Sequence, residues 1–122
     1  MEDPNELVLV YKALALARGA NGYVTGYVEW CNDYEAENSR RKLSDHGLTP
    51  EGIKWEVIDF VAAGGRVEQK QETREGFDYP YYYKVVLPID GIPGGVFVEM
   101  RLVDEDADDP VVYIVSAHRQ GV

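Results

Sequence analysis

The sequence contains a single cysteine, Cys31, and no apolar run long enough to cross a bilayer. One thiol cannot form an internal disulfide, and a membrane-spanning helix needs about 20 mostly apolar residues. The start, Met1-Glu2-Asp3-Pro4, also lacks the basic segment that precedes the apolar core of a signal peptide. These absences exclude a disulfide scaffold, predict no membrane partner and favour a cytoplasmic location.

Basic residues are also scarce, because 12 Lys and Arg stand against 22 Asp and Glu, and the net charge is −10. Such a field repels phosphate backbones, so nucleic acid is a disfavoured partner unless basic residues cluster locally. A protein partner with a basic surface, or a small ligand, is easier to accommodate. The charge therefore favours a binding module over a nucleic-acid-binding protein.

What is present is ordinary globular composition, with 45% hydrophobic and 28% charged residues in a chain of 122. A chain of this length is near the commonest domain size and buries a core without disulfides or metals. Residues 1–122 are therefore expected to form a single domain. No cofactor or metal is expected.

The first helix is predicted from about Pro4 to Arg18. Asp3-Pro4-Asn5-Glu6 supplies an N-cap, a proline at the first helical position and a glutamate three residues after the cap. An alternative for residues 7–28 is a hairpin that turns at Asn21-Gly22, because Asn-Gly is a strong two-residue hairpin signal. The run of alanines and leucines from Ala13 to Ala17 favours the helix.

Two more helices are predicted before Gly65. Apolar residues at helical spacing indicate a second helix from about Thr25 to Ser44, with Cys31 on its apolar face. Thr49-Pro50-Glu51 opens a third, which ends at Gly64-Gly65. The first half of the chain is thus expected to be helical.

The second half is rich in β-branched and aromatic residues in runs bounded by Gly, Pro and Asp, which is typical of strands. The predicted strands are Arg66–Arg74, Pro80–Leu87, Gly95–Val103 and Pro110–His118. Their short connections favour antiparallel neighbours. The expected fold class is α+β, with about three N-terminal helices packed on a C-terminal four-stranded antiparallel meander.

The third predicted strand places two charges in the middle of the sheet. Val96, Val98, Met100 and Leu102 share the face that should meet the helices, so Glu99 and Arg101 share the other. A charge at such a position is unfavourable unless it is paired or reaches solvent. These two residues are therefore candidate site residues.

A candidate site arises if Glu99 and Arg101 converge on one sheet face with His118 and with Tyr82 or Lys84. Arginine would then anchor a phosphate or carboxylate, and His118 or Glu99 would move a proton. The alternative is an exposed sheet face held by cross-strand ion pairs. If Glu99, Arg101 and His118 point into separate environments, the enzyme interpretation fails.

The segment Ser44-Asp45-His46-Gly47-Leu48-Thr49-Pro50-Glu51-Gly52-Ile53, followed by a helix and four strands, resembles the RelE/ParE-type superfamily of small α+β toxins, a group that also takes in barnase-, EndoU- and colicin-type domains. In that superfamily a His- or Arg-Gly-Ile/Leu-Thr motif opens a helix that packs on an antiparallel sheet. The resemblance covers roughly residues 43–119.

The resemblance implies metal-independent RNA cleavage, with Arg101, His118 and Arg119 at the matching positions. This chain departs from the family in its charge, since the toxin members are typically basic and neutralised phosphates supply most nucleic-acid affinity. The leading hypothesis is therefore a protein- or ligand-binding module of RelE-like fold, and the alternative is a toxin-type ribonuclease.

Two further local features of the sequence bear on function. Tyr79-Pro80-Tyr81-Tyr82-Tyr83 predicts an exposed recognition surface or base-stacking platform, or else tyrosines that fill the core and cover the sheet edge. A homodimer formed through this tyrosine-rich edge is a further possibility. Asp104–Asp109 begins with the spacing of a calcium loop but has Asp109 where glycine is required, and Val115 where the closing glutamate would be. It is interpreted as a solvated turn.

Overall fold

The computed structural model describes residues 4–31, 48–73, 76 and 79–119. Its elements, in chain order, are α1 (Pro4–Ala17), β1 (Arg18–Gly19), β2 (Gly22–Tyr23), β3 (Val28–Trp30), α2 (Pro50–Ala62), β4 (Glu68–Gln71), β5 (Tyr81–Ile89), β6 (Ile92–Asp104) and β7 (Val111–Arg119). Strands β1 and β2 form a small sheet of their own, and the other five form one sheet in the order β3-β7-β6-β5-β4. None of the helices in these ranges has the length and apolar character to cross a membrane.

The predicted layout of three helices on a four-stranded antiparallel meander is wrong. The described ranges contain two helices, and the sheet is mixed, because β3 pairs in parallel with β7. In the region predicted as a helix from Thr25 to Ser44, Gly26 has a positive φ of 101° and Val28–Trp30 is strand. Cys31 follows that strand and donates its backbone N–H to Ile114 O at 2.8 Å. Residues 32–44, the rest of this predicted helix, lie outside the described ranges. So does His46 of the segment that resembles the RelE/ParE-type superfamily.

Pairing with β7 explains why local spacing misled. A short apolar segment fits a strand as well as a helix, and a neighbouring strand with unpaired backbone groups decides between them. The alternative hairpin turning at Asn21-Gly22 is wrong, because Gly22 already pairs with Gly19 and the turn residues are Ala20 and Asn21. Helix α1 runs to Ala17, and the hairpin at Asn21 joins the two-residue strands β1 and β2.

Both helices pack on one face of the sheet. In α1 the buried residues Val10, Ala13, Leu14 and Ala17 recur at helical spacing, and in α2 they include Ile53, Val57 and Ile58. Thr49 caps α2 as predicted, since its Oγ1 accepts the N–H of Gly52 at 3.0 Å. The helices meet Val85, Val98 and Met100, which are fully buried. Each such aliphatic side chain contributes about 1.5–3 kcal/mol by leaving water.

Strands β4 to β7 are consecutive antiparallel neighbours within the mixed sheet, and their pairing has three register shifts. One lies between β5 and β6, between Leu87 and Ile89, and the other two lie between β6 and β7. Glu99 pairs with Ser116 and Met100 with Ile114, so Val115 is an extra residue of β7. Leu102 pairs with Val112 and Asp104 with Val111, so Val103 is an extra residue of β6. Such bulges bend a strand and re-aim its side chains.

Candidate functional site

A cluster of buried charges lies on the sheet face opposite the helices. Arg101 Nη2 is 2.6 Å from Glu72 Oε2 and 3.0 Å from Glu99 Oε2, and the side chains of Arg101 and Glu72 are each only 2% exposed. Nη1 of Arg101 also donates to Tyr81 O at 3.4 Å, and its guanidinium lies 5.5 Å from the centre of the Tyr82 ring. Two carboxylates thus hold one guanidinium.

The backbone explains how the three charges meet. Glu99 and Arg101 are two residues apart on β6, so they share a face. Glu72 follows β4, and its N–H bonds to Pro80 O at 2.9 Å, which keeps it beside the start of β5. Sequence analysis identified Glu99 and Arg101 but missed Glu72. A Glu–Arg pair in the middle of a central strand indicates that other residues also contact these charges, because buried ions need hydrogen-bond partners for their remaining donors and acceptors.

A second group on the same face is a stack around Phe97. The rings of Phe97 and His118 lie 4.9 Å apart with an angle of 17° between their planes, and Lys84 Nζ lies 4.8 Å from the centre of the Phe97 ring. Lys84 also pairs in register with Glu99. The stack is therefore continuous with the charge cluster along the sheet.

The predicted site residues share a face but do not form one tight group. Arg101, Glu99 and Tyr82 are close to one another, whereas His118 pairs with Phe97, four residues before Arg101. At about 3.3 Å per residue, this places His118 roughly 13 Å along the strand from Arg101. Arg119 pairs with Val96, farther still from Arg101.

The tyrosine run divides between the two faces. Tyr83 is buried under the helices, where its hydroxyl donates to Glu6 Oε1 at 2.9 Å and accepts from Gln69 Nε2 at 3.1 Å. Tyr82 lies on the opposite face with Arg101. Because β4 pairs with Tyr81 to Lys84 on one side of β5 and β6 pairs on the other, the strand is paired on both edges where the tyrosines lie. A homodimer that uses the tyrosines stays a prediction.

A cavity of about 520 Å³ opens beside Arg101. Its walls are mostly apolar or aromatic, and two exposed tyrosines, Tyr79 at 39% and Tyr113 at 37%, stand among them. Asp104 supplies a carboxylate at the wall. The lining residues are Cys31, Tyr79, Arg101, Val103, Asp104, Val111, Tyr113 and Val115. The volume falls within the roughly 300–1,000 Å³ of typical ligand pockets.

Sequence analysis missed this cavity, for a physical reason. Val103 and Val115, which line it, are the extra residues of the two bulges between β6 and β7, and simple alternation cannot locate a bulge. One feature of the sequence does indicate that this part of β7 is covered on both faces. The unbroken apolar run Val111–Val115 does not alternate, which indicates a strand shielded on both faces.

The turn between β6 and β7, Asp104–Asp109, is here named the acidic loop, and all five of its carboxylate residues are exposed. It is held from two sides. Lys12 Nζ on α1 donates to Ala107 O, and the Tyr27 hydroxyl donates to Asp109 Oδ1 at 3.0 Å. Within the loop, Asp106 Oδ1 accepts the backbone N–H groups of Asp108 and Asp109 at 2.8 and 3.1 Å. The loop is therefore a fixed array of negative charge.

These contacts shift two pKa values in opposite directions. The backbone N–H groups of Asp108 and Asp109 stabilise the ionised carboxylate, so they lower the pKa of Asp106. The hydrogen bond to Asp109 favours the protonated phenol, so it raises the pKa of Tyr27. At neutral pH the Asp106 carboxylate is therefore ionised and the Tyr27 hydroxyl keeps its proton.

Within the described ranges, no three His, Cys, Asp or Glu side chains are arranged to hold a metal ion. What the arrangement offers is a charged loop beside an open, largely apolar cavity. It brings together negative charge, aromatic side chains and an open cavity of about 520 Å³.

Neither a scan against protein-family models nor searches of curated proteins and of solved structures find a match to this chain. The resemblance to the RelE/ParE-type superfamily therefore stays a prediction.

Proposed function

We propose that this protein is a binding module that recognises a basic protein segment through the acidic loop. The observation that carries the proposal is the concentration of five exposed carboxylates in one loop that α1 and Tyr27 hold in place. A preorganised charged surface binds better than a mobile one, because less conformational entropy is lost on association. Complementary charge also raises the association rate.

The ribonuclease alternative rests on Arg101 and His118, and the described contacts support it less. Arg101 makes ion pairs with two carboxylates, so a phosphate would have to compete with Glu72 and Glu99 for the guanidinium. His118 stacks on Phe97 about four residues along the strand from Arg101. General acid–base catalysis needs groups within reach of the same reacting atoms.

The test compares two double variants that remove equal charge. Glu105→Gln/Asp108→Asn neutralises two side chains of the acidic loop, and Glu56→Gln/Asp90→Asn neutralises two exposed side chains elsewhere. The probe is a peptide of alternating glycine and arginine, and calorimetry measures its affinity. We expect the loop variant to weaken binding about tenfold and the control to weaken it less than twofold, because exposed charges act mainly within a Debye length of about 8 Å.

Equal losses in the two variants would mean that the peptide responds only to net charge, and the proposal would fail. Binding that persists unchanged at high salt would also contradict it, since attraction between exposed charges is screened by ions. A control peptide of alternating glycine and glutamine should not bind.

A further inference from the structure

We infer that the cavity beside the acidic loop is a pocket for one arginine side chain of the basic partner. This inference rests on the proposed function and adds the chemical identity of the anchoring residue. The cavity adjoins the acidic loop through Asp104, which belongs to both. A basic segment lying on the loop therefore passes the mouth of the cavity.

The charges around the cavity select a cation. Arg101 is the one basic residue among the described lining residues, and it is held by the carboxylates of Glu72 and Glu99. Asp104 adds a carboxylate at the wall, and the rest of the acidic loop lies next to it. A phosphate or carboxylate entering here would meet an excess of acid groups, whereas a guanidinium would be attracted.

The aromatic and apolar walls select arginine among cations. Tyr79 and Tyr113 are exposed at the cavity and present ring faces or edges to whatever enters. A guanidinium is planar and weakly hydrated, so it stacks on aromatic rings more readily than the compact, strongly hydrated ammonium of lysine. Val103, Val111 and Val115 give the methylene stem of the side chain an apolar surface.

Occupation of the cavity by a peptide can be measured at Cys31, because this residue lines the wall, is half-buried and is the only cysteine of the chain. Its alkylation by iodoacetamide, a neutral reagent, is followed by mass spectrometry. We expect the glycine–arginine peptide to slow alkylation at least fivefold at saturation. A glycine–lysine peptide of the same length should bind the acidic loop yet slow alkylation less than twofold.

Two substitutions of Tyr113 test the same cavity independently of Cys31. Tyr113→Ala removes a wall of the cavity, and we expect it to weaken binding of the arginine peptide about three- to tenfold while leaving the lysine peptide within twofold. Tyr113→Phe keeps the ring and should bind as the wild type does. Tyr23→Ala, at an exposed tyrosine outside the cavity, is the position control.

The outcomes separate the two proposals. If the arginine peptide binds in a loop-dependent way while Cys31 alkylation and the Tyr113→Ala variant are unaffected, the pocket is wrong and the binding function stands. Equal protection by the arginine and lysine peptides would likewise overturn the choice of arginine. If neither peptide binds the wild-type protein, both proposals fail.

Discussion

Each end of strand β6 has a turn and a cavity beside it, but the charges at the two ends differ. At one end the turn from β5 to β6 is tight, with Gly91 at a φ of 85°, and a cavity of about 420 Å³ lies beside it. At the other end lie the acidic loop and the cavity of about 520 Å³. Asp90 is the one charged residue among those lining the first cavity, whereas Arg101 and Asp104 line the second, and Asp104 begins a loop with five exposed carboxylates.

The difference shows that shape alone does not mark the candidate site. Both cavities have apolar walls, but only one combines them with exposed tyrosines, a buried ion cluster and a loop of fixed negative charge. The turn at Gly91 is the shortest way to connect two strands, so it needs no explanation beyond folding. The longer acidic loop has contacts from α1 and from Tyr27 that a simple connection does not require.

The largest effect expected at the acidic end is on stability. Arg101→Leu leaves Glu72 and Glu99 buried without their shared cation, and we expect it to lower the free energy of unfolding by about 3–5 kcal/mol. Urea denaturation followed by circular dichroism measures this. Adding Glu72→Gln and Glu99→Gln to Arg101→Leu should recover part of the loss, because neutral amides are less unfavourable than unpaired carboxylates.

A loss below about 1 kcal/mol for Arg101→Leu would show that the buried ion pairs do not hold this end of the sheet together. The two ends of β6 would then be more alike than the contacts indicate.

The full charge cluster could not be predicted from the sequence. Glu72 and Arg101 are distant along the chain, and the pairing of β4 with β5 brings them together.

A smaller effect is expected from pH. The lowered pKa of Asp106 means that, between its ordinary and its folded-state pKa, the unfolded chain binds more protons than the folded one. The stabilisation from this carboxylate is thus fully present above about pH 4 and is lost as the pH falls through the folded-state pKa. Asp106→Asn should remove that part of the acid dependence.

Carboxyl carbon NMR titration measures the Asp106 pKa directly, and denaturation midpoints at several pH values measure the linked stability. An Asp106 side chain that titrates at or above the ordinary aspartate value would contradict the observed hydrogen bonds from Asp108 and Asp109. The acidic loop would then be less ordered than its contacts indicate.

Local patterns predicted the elements whose signals are local. The helix starts at Pro4 and Pro50, the antiparallel pairing of consecutive strands β4 to β7 and the alternation along β6 follow from signals within a few residues. The parallel pairing of β3 with β7 and the bulges at Val103 and Val115 depend on contacts between distant segments. No local pattern encodes them, so the strand at Val28 and the cavity were missed.

For the candidate site, sequence analysis selected Glu99, Arg101, Tyr82, Lys84 and His118, which do share one sheet face. It interpreted the acidic loop as a solvated turn, and its side chains are indeed exposed. What it could not supply was the neighbourhood of that loop: the contacts with Lys12 and Tyr27 and the cavity between Tyr79 and Tyr113.

The central claim is that one end of β6 binds a basic segment and the other does not, and NMR mapping tests it most directly. The ¹⁵N-labelled protein is titrated with the glycine–arginine peptide, and backbone amide shifts are followed. We expect the shifts to concentrate at residues 104–113 and to be absent at residues 88–95. Equal shifts at both ends, or shifts confined to residues 88–95, would contradict the account.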